Sequence, residues 1–391
     1  MILSIVIPTK GRNEYLIKTI RTILDMDLSN VEILIQDNNE IDEISSVFEE
    51  EISFGLVSYF HEPKPLSFVD NFELAISRVK GDYITLIGDD DLINPEIIDV
   101  VTIAQEKSID AIVPANKLHF LWPNSNLVSR TLNGIASDSI LFTIKKFGGS
   151  LELVNSRKEL EKVLKNGGVD YLKSKMPRLY HGIVCKEVID KIRTSEGRVF
   201  GGLTPDIYVS SKISQYADKV VFFDYPLTIP GACNKSGSVA SATGAHTGLL
   251  KEAPHFKYRG DYEWNGLVPK IYSVETIWAD TVFASVSHCP DLTEKIDTSL
   301  LNSICYYKYK SLREYQENYH LIFRFLYGFK YAKYWSKSML FIISEHVRKR
   351  FFKNQICHFE VKTPMQVIKE LENYTKGGYA RSKFVEGVSK R

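Results

Sequence analysis

The sequence predicts an α/β fold: a mostly parallel sheet with helices on both faces, followed by a helical C-terminal extension. Three observations carry this expectation. Short apolar runs alternate with helically spaced segments over the first ~115 residues, and polar clusters follow the ends of those runs. The last third reads as mainly helical, with Tyr, Phe and Lys/Arg interleaved.

Each element has a local reason. Leu3 to Ile7 is an apolar strand ended by Pro8, and Glu14 to Met26 has helical spacing through Leu16, Ile20, Ile23 and Leu24. Val31 to Ile35 is a second strand, and a polar helix is expected over Ile41 to Glu50. Leu56 to Phe60 is a third strand. Ser67 to Val79 is a helix whose start, Ser67-x-x-Asp70, is a capping-box variant. Tyr83 to Ile87 is an apolar strand, and Asn94-Pro95-Glu96 marks the cap and first turn of another helix. Ala111 to Val113 is the fifth strand. Further on, Ser156 to Lys165 reads as a helix and Leu179 to Val184 as a strand. Thr204-Pro205-Asp206 starts a helix through Ala217, and Lys219 to Phe223 is another strand. Gly231 to Gly248, rich in Gly, Ala and Ser, is longer than an ordinary connection and is a candidate active-site lid.

Composition narrows the class. The chain has 391 residues, enough for one large domain and a smaller one. Hydrophobic residues make up 44% and charged residues 25%, as in ordinary soluble enzymes. A net charge of +1 argues for no nucleic-acid partner. The five cysteines are scattered without a C-x-x-C pair, which suits a reducing cytoplasm rather than a disulfide framework or zinc site. The first residues lack a signal-peptide pattern, and no uncharged apolar run approaches the ~18 residues that a membrane span needs.

In such sheets ligands bind outside the carboxyl ends of strands. The polar clusters stand there: Thr9 to Arg12, Asp37 to Asn39, and Gly88 to Asp91. Asp89, Asp90 and Asp91 are three consecutive carboxylates after a buried strand. They repel one another unless a cation offsets them, and hard oxygen ligands suit Mg²⁺ or Mn²⁺. An acidic turn needs one Asp rather than three.

Ile5-Val-Ile-Pro-Thr-Lys-Gly-Arg12, Asp37-Asn38, Asn71 within Asp-Asn-Phe-Glu-Leu-Ala75, and Gly81 to Asp91 together resemble the family 2 glycosyltransferases of the GT-A fold. The resemblance is clear over residues 2–115 and looser to about 250. It implies a nucleoside-diphosphate sugar donor (a UDP-sugar favoured), a divalent Mn²⁺ or Mg²⁺ ion, and inversion at the anomeric carbon. It makes Asp89-Asp90-Asp91 the D-x-D-type motif, with Asp91 a direct metal ligand and Asp89 facing the ribose or the metal's waters. Pro8, Thr9 and Arg12 would line the nucleotide pocket, Asp37 would receive base or ribose, set against an Asx turn after the strand, and Asn71 would lie near the base. The usual acidic-Gly-Ser segment is replaced by Asp37-Asn-Asn-Glu40, which departs from the family pattern. Asp206, a single acid after Pro205 where the family often has two in tandem, would be the general base, set against a residue that only stabilises the helix start, with Glu187 and Asp224 in reserve. His246 would add to the metal or diphosphate, set against a merely solvated loop histidine. His181 is a candidate acceptor contact, set against a packed histidine, and Arg178 a candidate for donor phosphates.

The implied organisation is a catalytic domain over 1–255, with a donor half (1–115) and an acceptor half (116–255), then a helical extension over 256–391. Between Leu321 and Lys353 eight Lys/Arg stand against one acid, Glu345, among many rings. Three readings of that stretch stay open: packing on the catalytic domain, a homo-oligomer interface, or peripheral contact with an anionic membrane. A glycan or lipid-linked acceptor, as in bacterial surface-polysaccharide synthesis, suits the family. The rival readings are a nucleotidyltransferase, whose Gly-rich basic loop is only weakly matched by Pro8 to Arg12, and a non-catalytic nucleotide-sugar or membrane-binding scaffold.

Overall fold

The computed structural model describes residues 1–26, 28–123, 125, 138–237, 246–315, 328–336 and 356–389. Its main sheet has eight strands: β1 (Leu3–Thr9), β2 (Val31–Asp37), β3 (Val57–His61), β4 (Tyr83–Leu86), β5 (Ala111–Pro114), β6 (Leu151–Val154), β7 (Ile183–Cys185) and β8 (Val220–Phe223). Their spatial order is β3-β2-β1-β4-β7-β5-β8-β6. β1 pairs in parallel with β2 and β4, β2 with β3, and β5 with β8, whereas β7 and β6 run antiparallel to their neighbours. The mostly parallel, helix-flanked sheet expected of the GT-A class is therefore present.

Two apolar layers close on this sheet because alternate strand residues point to opposite faces. Leu3, Ile5 and Ile7 face one layer with Leu16, Ile20 and Ile23 of α1 (Asn13–Leu24) and Val100 and Val101 of α3 (Ile97–Glu106). Val6, Leu34, Ile84 and Leu86 face the other, with Val69, Ala75 and Ile76 of α2 (Phe68–Ile76), Val188, Ile189 and Ile192 of α5 (Lys186–Glu196), and Ile213 of α6 (Pro205–Tyr216). A third cluster gathers Leu160, Val163 and Leu164 of α4 (Ser156–Lys165) with Ala279, Val282, Phe283 and Val286 of α7 (Val274–Val286).

Two local expectations shift. Over residues 41–50, Asp42 Oδ1 accepts from the Ile44 and Ser45 amides, an Asx-type arrangement that competes with helix, so the helix is short and begins later, Glu49–Ser53. Asn94 does not cap its helix directly. Its Nδ2 donates to the Pro226 carbonyl and its Oδ1 accepts from the Glu96 amide, so α3 starts at Ile97.

The C-terminal part is mainly helical but also supplies a strand. Ile356–Val361 pairs antiparallel with all of Ile140–Lys145, in a second sheet that also holds Leu118–Leu121 and Gly231–Ala232. α8 (Pro364–Thr375) covers that sheet with Val367, Ile368 and Leu371, and α9 (Tyr379–Ser389) inserts Ala380 and Phe384 into the first core layer. Most of the basic aromatic stretch lies outside the described residues. Its described part, 328–336, is helical and stacks Tyr331 on Tyr307 (5.2 Å between centroids), with Lys173 over the Tyr334 ring. Phe329 (72% exposed) and Trp335 (53%) face outward. Among the described residues no helix is long and apolar enough to cross a membrane.

Candidate functional site

The turn after β1 enters α1 through Gly11, which has φ +75°, and Arg12, the N-cap residue. Arg12 reaches across to the loop after β4: Nη2 lies 2.8 Å from Asp89 Oδ1 and Nη1 3.2 Å from Asp90 Oδ1. Thr9 Oγ1 donates to Asp89 Oδ2 at 2.6 Å, while Asp89 Oδ1 has an ion pair but no directed hydrogen bond. Asp90 Oδ2 accepts from the Cys233 amide at 3.2 Å. Asp91 is the most heavily engaged. Its Oδ1 accepts from the Gly231 amide (2.7 Å), and its Oδ2 from the Gly88 amide (2.6 Å) and Tyr180 hydroxyl (3.0 Å), with His181 Nε2 at 3.3 Å.

Two glycines make this closeness possible. A Cβ at Gly88 would sit 2.8 Å from the Tyr180 hydroxyl and 2.9 Å from Asp91 Oδ2, and one at Gly231 would meet the Asp90 carbonyl at 1.8 Å. The same backbone is tied further by Trp122 Nε1 donating to the Asp90 carbonyl and Thr19 Oγ1 to that of Asp91.

The three carboxylates titrate differently because their partners differ. Burial pushes Asp89 up to about 7, against the pull of Arg12. Burial and the charge of Asp91 raise Asp90. Burial also disfavours the Asp91 anion, but His181 and the Gly231 and Gly88 amides outweigh it and hold that carboxyl below its usual range. Arg12 loses some stability of its charge to burial and regains more from Asp89 and Asp90, so it stays a cation.

A cavity of about 540 Å³ opens beside this network, lined among others by Pro8, Thr9, Lys10, Arg12, Asn71, Asp206 and His246. The structure thus brings five of the residues expected from the sequence for nucleotide or metal, with Asp206, to one cavity. Asp206 sits in the first turn of α6 after Pro205, and Thr204 Oγ1 donates to its Oδ1. Asn71 is buried, its Oδ1 has no hydrogen-bond partner, and its Nδ2 makes only a long contact to the Thr9 carbonyl.

Other expected residues stand elsewhere. Asp89, Asp90 and Asp91 lie behind Arg12 and Tyr180 and do not line the cavity. Asp37 is fully buried, with Oδ1 accepting from the Asn39 amide and Oδ2 from the Tyr59 hydroxyl. That is the Asx-turn role weighed against ribose binding. Arg178 folds back onto the carbonyls of Tyr171, Leu172 and Ser174, away from any phosphate role. His181 is packed between Asp91 and Thr228 rather than offered to an acceptor. Glu187 and Asp224 are not among the lining residues, and Asp224 holds the Gly148 amide. Of the proposed lid, residues 238–245 lie outside the described residues.

The expected metal set of Asp91, Asp89 and His246 is not assembled. Both Asp91 oxygens are occupied by protein donors, Asp89 is paired with Arg12, and His246 packs near the His255 and Tyr272 rings. Among the described residues no group of three or more His, Cys, Asp or Glu is arranged to hold a metal ion. In this arrangement the donor set does not fit a divalent cation.

Sequence reading missed Tyr180, Gly231, the Cys233 amide, Lys235, Phe68 and His255. Each acts through a partner at least 80 residues away in the chain or through its place on the cavity wall, and no local pattern marks either.

Residues 4–136 match the model for glycosyl transferase family 2. A stretch of 116 residues is 27% identical to the glycosyltransferase GlyG of Streptococcus pneumoniae serotype 4 (strain ATCC BAA-334 / TIGR4), covering 29% of this chain and 38% of that protein. Among solved structures, S. aureus TarS 1-349 in complex with UDP-GlcNAc aligns with a TM-score of 0.45 at 13% identity, over 81% of this chain and 89% of that one. The mannosyltransferase PcManGT from Pyrobaculum calidifontis, in complex with GDP-Man and Mn²⁺, aligns with a TM-score of 0.40 at 10% identity, over 90% and 88%. The Thr9–Arg12 turn and the Asp89–Asp91 loop to which it is locked both lie inside residues 4–136, the segment that matches glycosyl transferase family 2.

Proposed function

We propose that this chain transfers a glycosyl group from a nucleoside-diphosphate sugar to an acceptor hydroxyl, with inversion at the anomeric carbon. The observation that carries the reading is the shared cavity. It joins Thr9, Arg12 and Asn71 of the family-matched segment to Asp206, which lies 70 residues beyond that segment. In this reading Lys10 and Arg12 offset the charge that builds on the departing diphosphate, a task for fixed cations in a partly dry site. Asp206 takes the proton of the acceptor hydroxyl as that oxygen attacks the anomeric carbon and the bond to the diphosphate breaks.

The test is a panel of UDP-, GDP-, dTDP- and CMP-sugars, scored for saturable binding and for nucleotide release with a mixture of oligosaccharide acceptors. One donor that binds and is turned over supports the reading. Binding without release under any acceptor would make the chain a donor-binding scaffold, and no binding would overturn the donor assignment.

A further inference from the structure

One wall of the cavity joins Phe68, inside the family-matched segment, to His255, His246 and Lys235 beyond it, and its parts follow one another in a definite order. Phe68, the first residue of α2, is 55% exposed although large and apolar, and its ring lies 6.1 Å from that of His255, tilted by 42°. His255 lies 6.2 Å from His246, whose Cε1 comes within 3.9 Å of where a Cβ on Gly237 would be. Two residues before Gly237, Lys235 Nζ donates to the Gly11 carbonyl at 3.4 Å, beside Lys10 and Arg12. The wall therefore runs from flat rings at one end to three cations at the other.

The ring end also carries polar atoms without partners. His255 Nδ1, the Tyr272 hydroxyl 5.8 Å ring-to-ring from it, and Asn71 Oδ1 are all buried with no hydrogen bond inside the protein. Such atoms cost free energy unless a ligand satisfies them. Asn71 stands three residues after Phe68 on the same helix, so the two share a face. Burial and the neighbouring His246 push His255 down to about 4, so its ring is neutral at physiological pH and can stack without carrying charge.

We propose that the nucleobase of the donor stacks on a shelf formed by Phe68 and His255, with its polar edge toward Asn71, while Lys235 binds the diphosphate. A flat heterocycle with N–H and C=O groups on its edge matches an aromatic face beside an unsatisfied amide. An anion a few bonds away matches the cationic end. An acceptor sugar would supply neither the planar edge nor the charge.

The inference rests on the donor reading above, and the test separates the two. Dissociation constants for UDP, GDP and inorganic pyrophosphate are measured by calorimetry at pH 7.5 for wild type, Phe68→Ala, His255→Ala, His255→Phe and Lys235→Ala. Losing a stacking face is expected to weaken UDP and GDP about tenfold in Phe68→Ala and His255→Ala, with pyrophosphate unchanged. His255→Phe keeps a ring and should recover most of the loss. Lys235→Ala should weaken all three ligands. If Phe68→Ala and His255→Ala bind UDP and GDP like wild type, the shelf assignment is overturned, and it is equally overturned if they lose pyrophosphate to the same degree. If wild type binds none of the three and no sugar nucleotide of the donor panel either, the donor reading itself fails.

Discussion

His181 Nε2 lies 3.3 Å from Asp91 Oδ2, and the other ring nitrogen of His181 lies 3.0 Å from Thr228 Oγ1. The histidine holds this position with φ +59°, a conformation that a non-glycine residue adopts only when its surroundings fix it. Asp91 is thereby bound between β7's approach, the loop after β4 and the strand at Thr228–Ile229, which itself pairs with Leu92–Ile93.

This makes Asp91 a structural centre in the present arrangement. Asp91→Asn keeps the volume but turns an acceptor-only group into one carrying an NH₂ that faces backbone amides. The expected loss is about 1–3 kcal/mol of stability, seen as a lower urea midpoint. The loss should be the same with and without Mn²⁺. A variant that unfolds like wild type in metal-free buffer, but lacks a Mn²⁺-induced shift shown by wild type, would instead make Asp91 a metal ligand.

Asp206 is expected to act on the acceptor side only. Asp206→Asn retains the size of the side chain and its acceptor oxygen toward Thr204, so α6 should keep its first turn. Transfer should fall about a hundredfold or more, the usual scale for removing a general base, with donor affinity near wild type. Full transfer by the variant would exclude Asp206 as the base. Equal loss of donor affinity would make it part of the nucleotide pocket.

A pH effect should arise from Asp280, which lies in α7, far from the acidic triplet in the chain. Its oxygens accept from the Tyr262 hydroxyl (2.7 Å) and the Asn265 amide (2.8 Å), and burial raises its carboxyl to about 6. Tyr262 supports Arg259, whose Nη2 holds the Gly202 carbonyl just before the Thr204–Asp206 turn. The folded state holds the proton more tightly than the unfolded chain, whose Asp titrates near ~3.9, so Asp280 costs stability once it ionises. That cost is absent below pH ~4, grows between about 4 and 6, and is complete above 6, reaching about 3 kcal/mol at most. Wild type should therefore lose stability relative to Asp280→Asn as pH rises from 4 to 6. Parallel stability curves for the two proteins across that window would refute it.

Much of the framework was legible locally. The apolar runs at Leu3 to Ile7, Val31 to Ile35 and Tyr83 to Ile87 became β1, β2 and β4 because alternation and β-branching act between near neighbours. Ser67 and Asp70 form the expected cap, with the Asp70 amide donating to Ser67 Oγ. The Asp89–Asp91 cluster was visible for the same reason. Its meaning was not. Arg12 meets Asp89 and Asp90 from 77 and 78 positions away, and Gly231 reaches Asp91 across 140, so tertiary closure alone decides whether a carboxylate faces a cation, an amide or the cavity. The same holds for β7, whose three residues run antiparallel between β4 and β5, and for Ile356–Val361, which crosses more than 200 positions to complete a sheet begun by Ile140–Lys145. Local pattern determined which segments could be strands, helices or polar turns. Which of them became neighbours was decided by the burial of their apolar faces against one another, and that same packing set the partners of the Asp91 carboxylate.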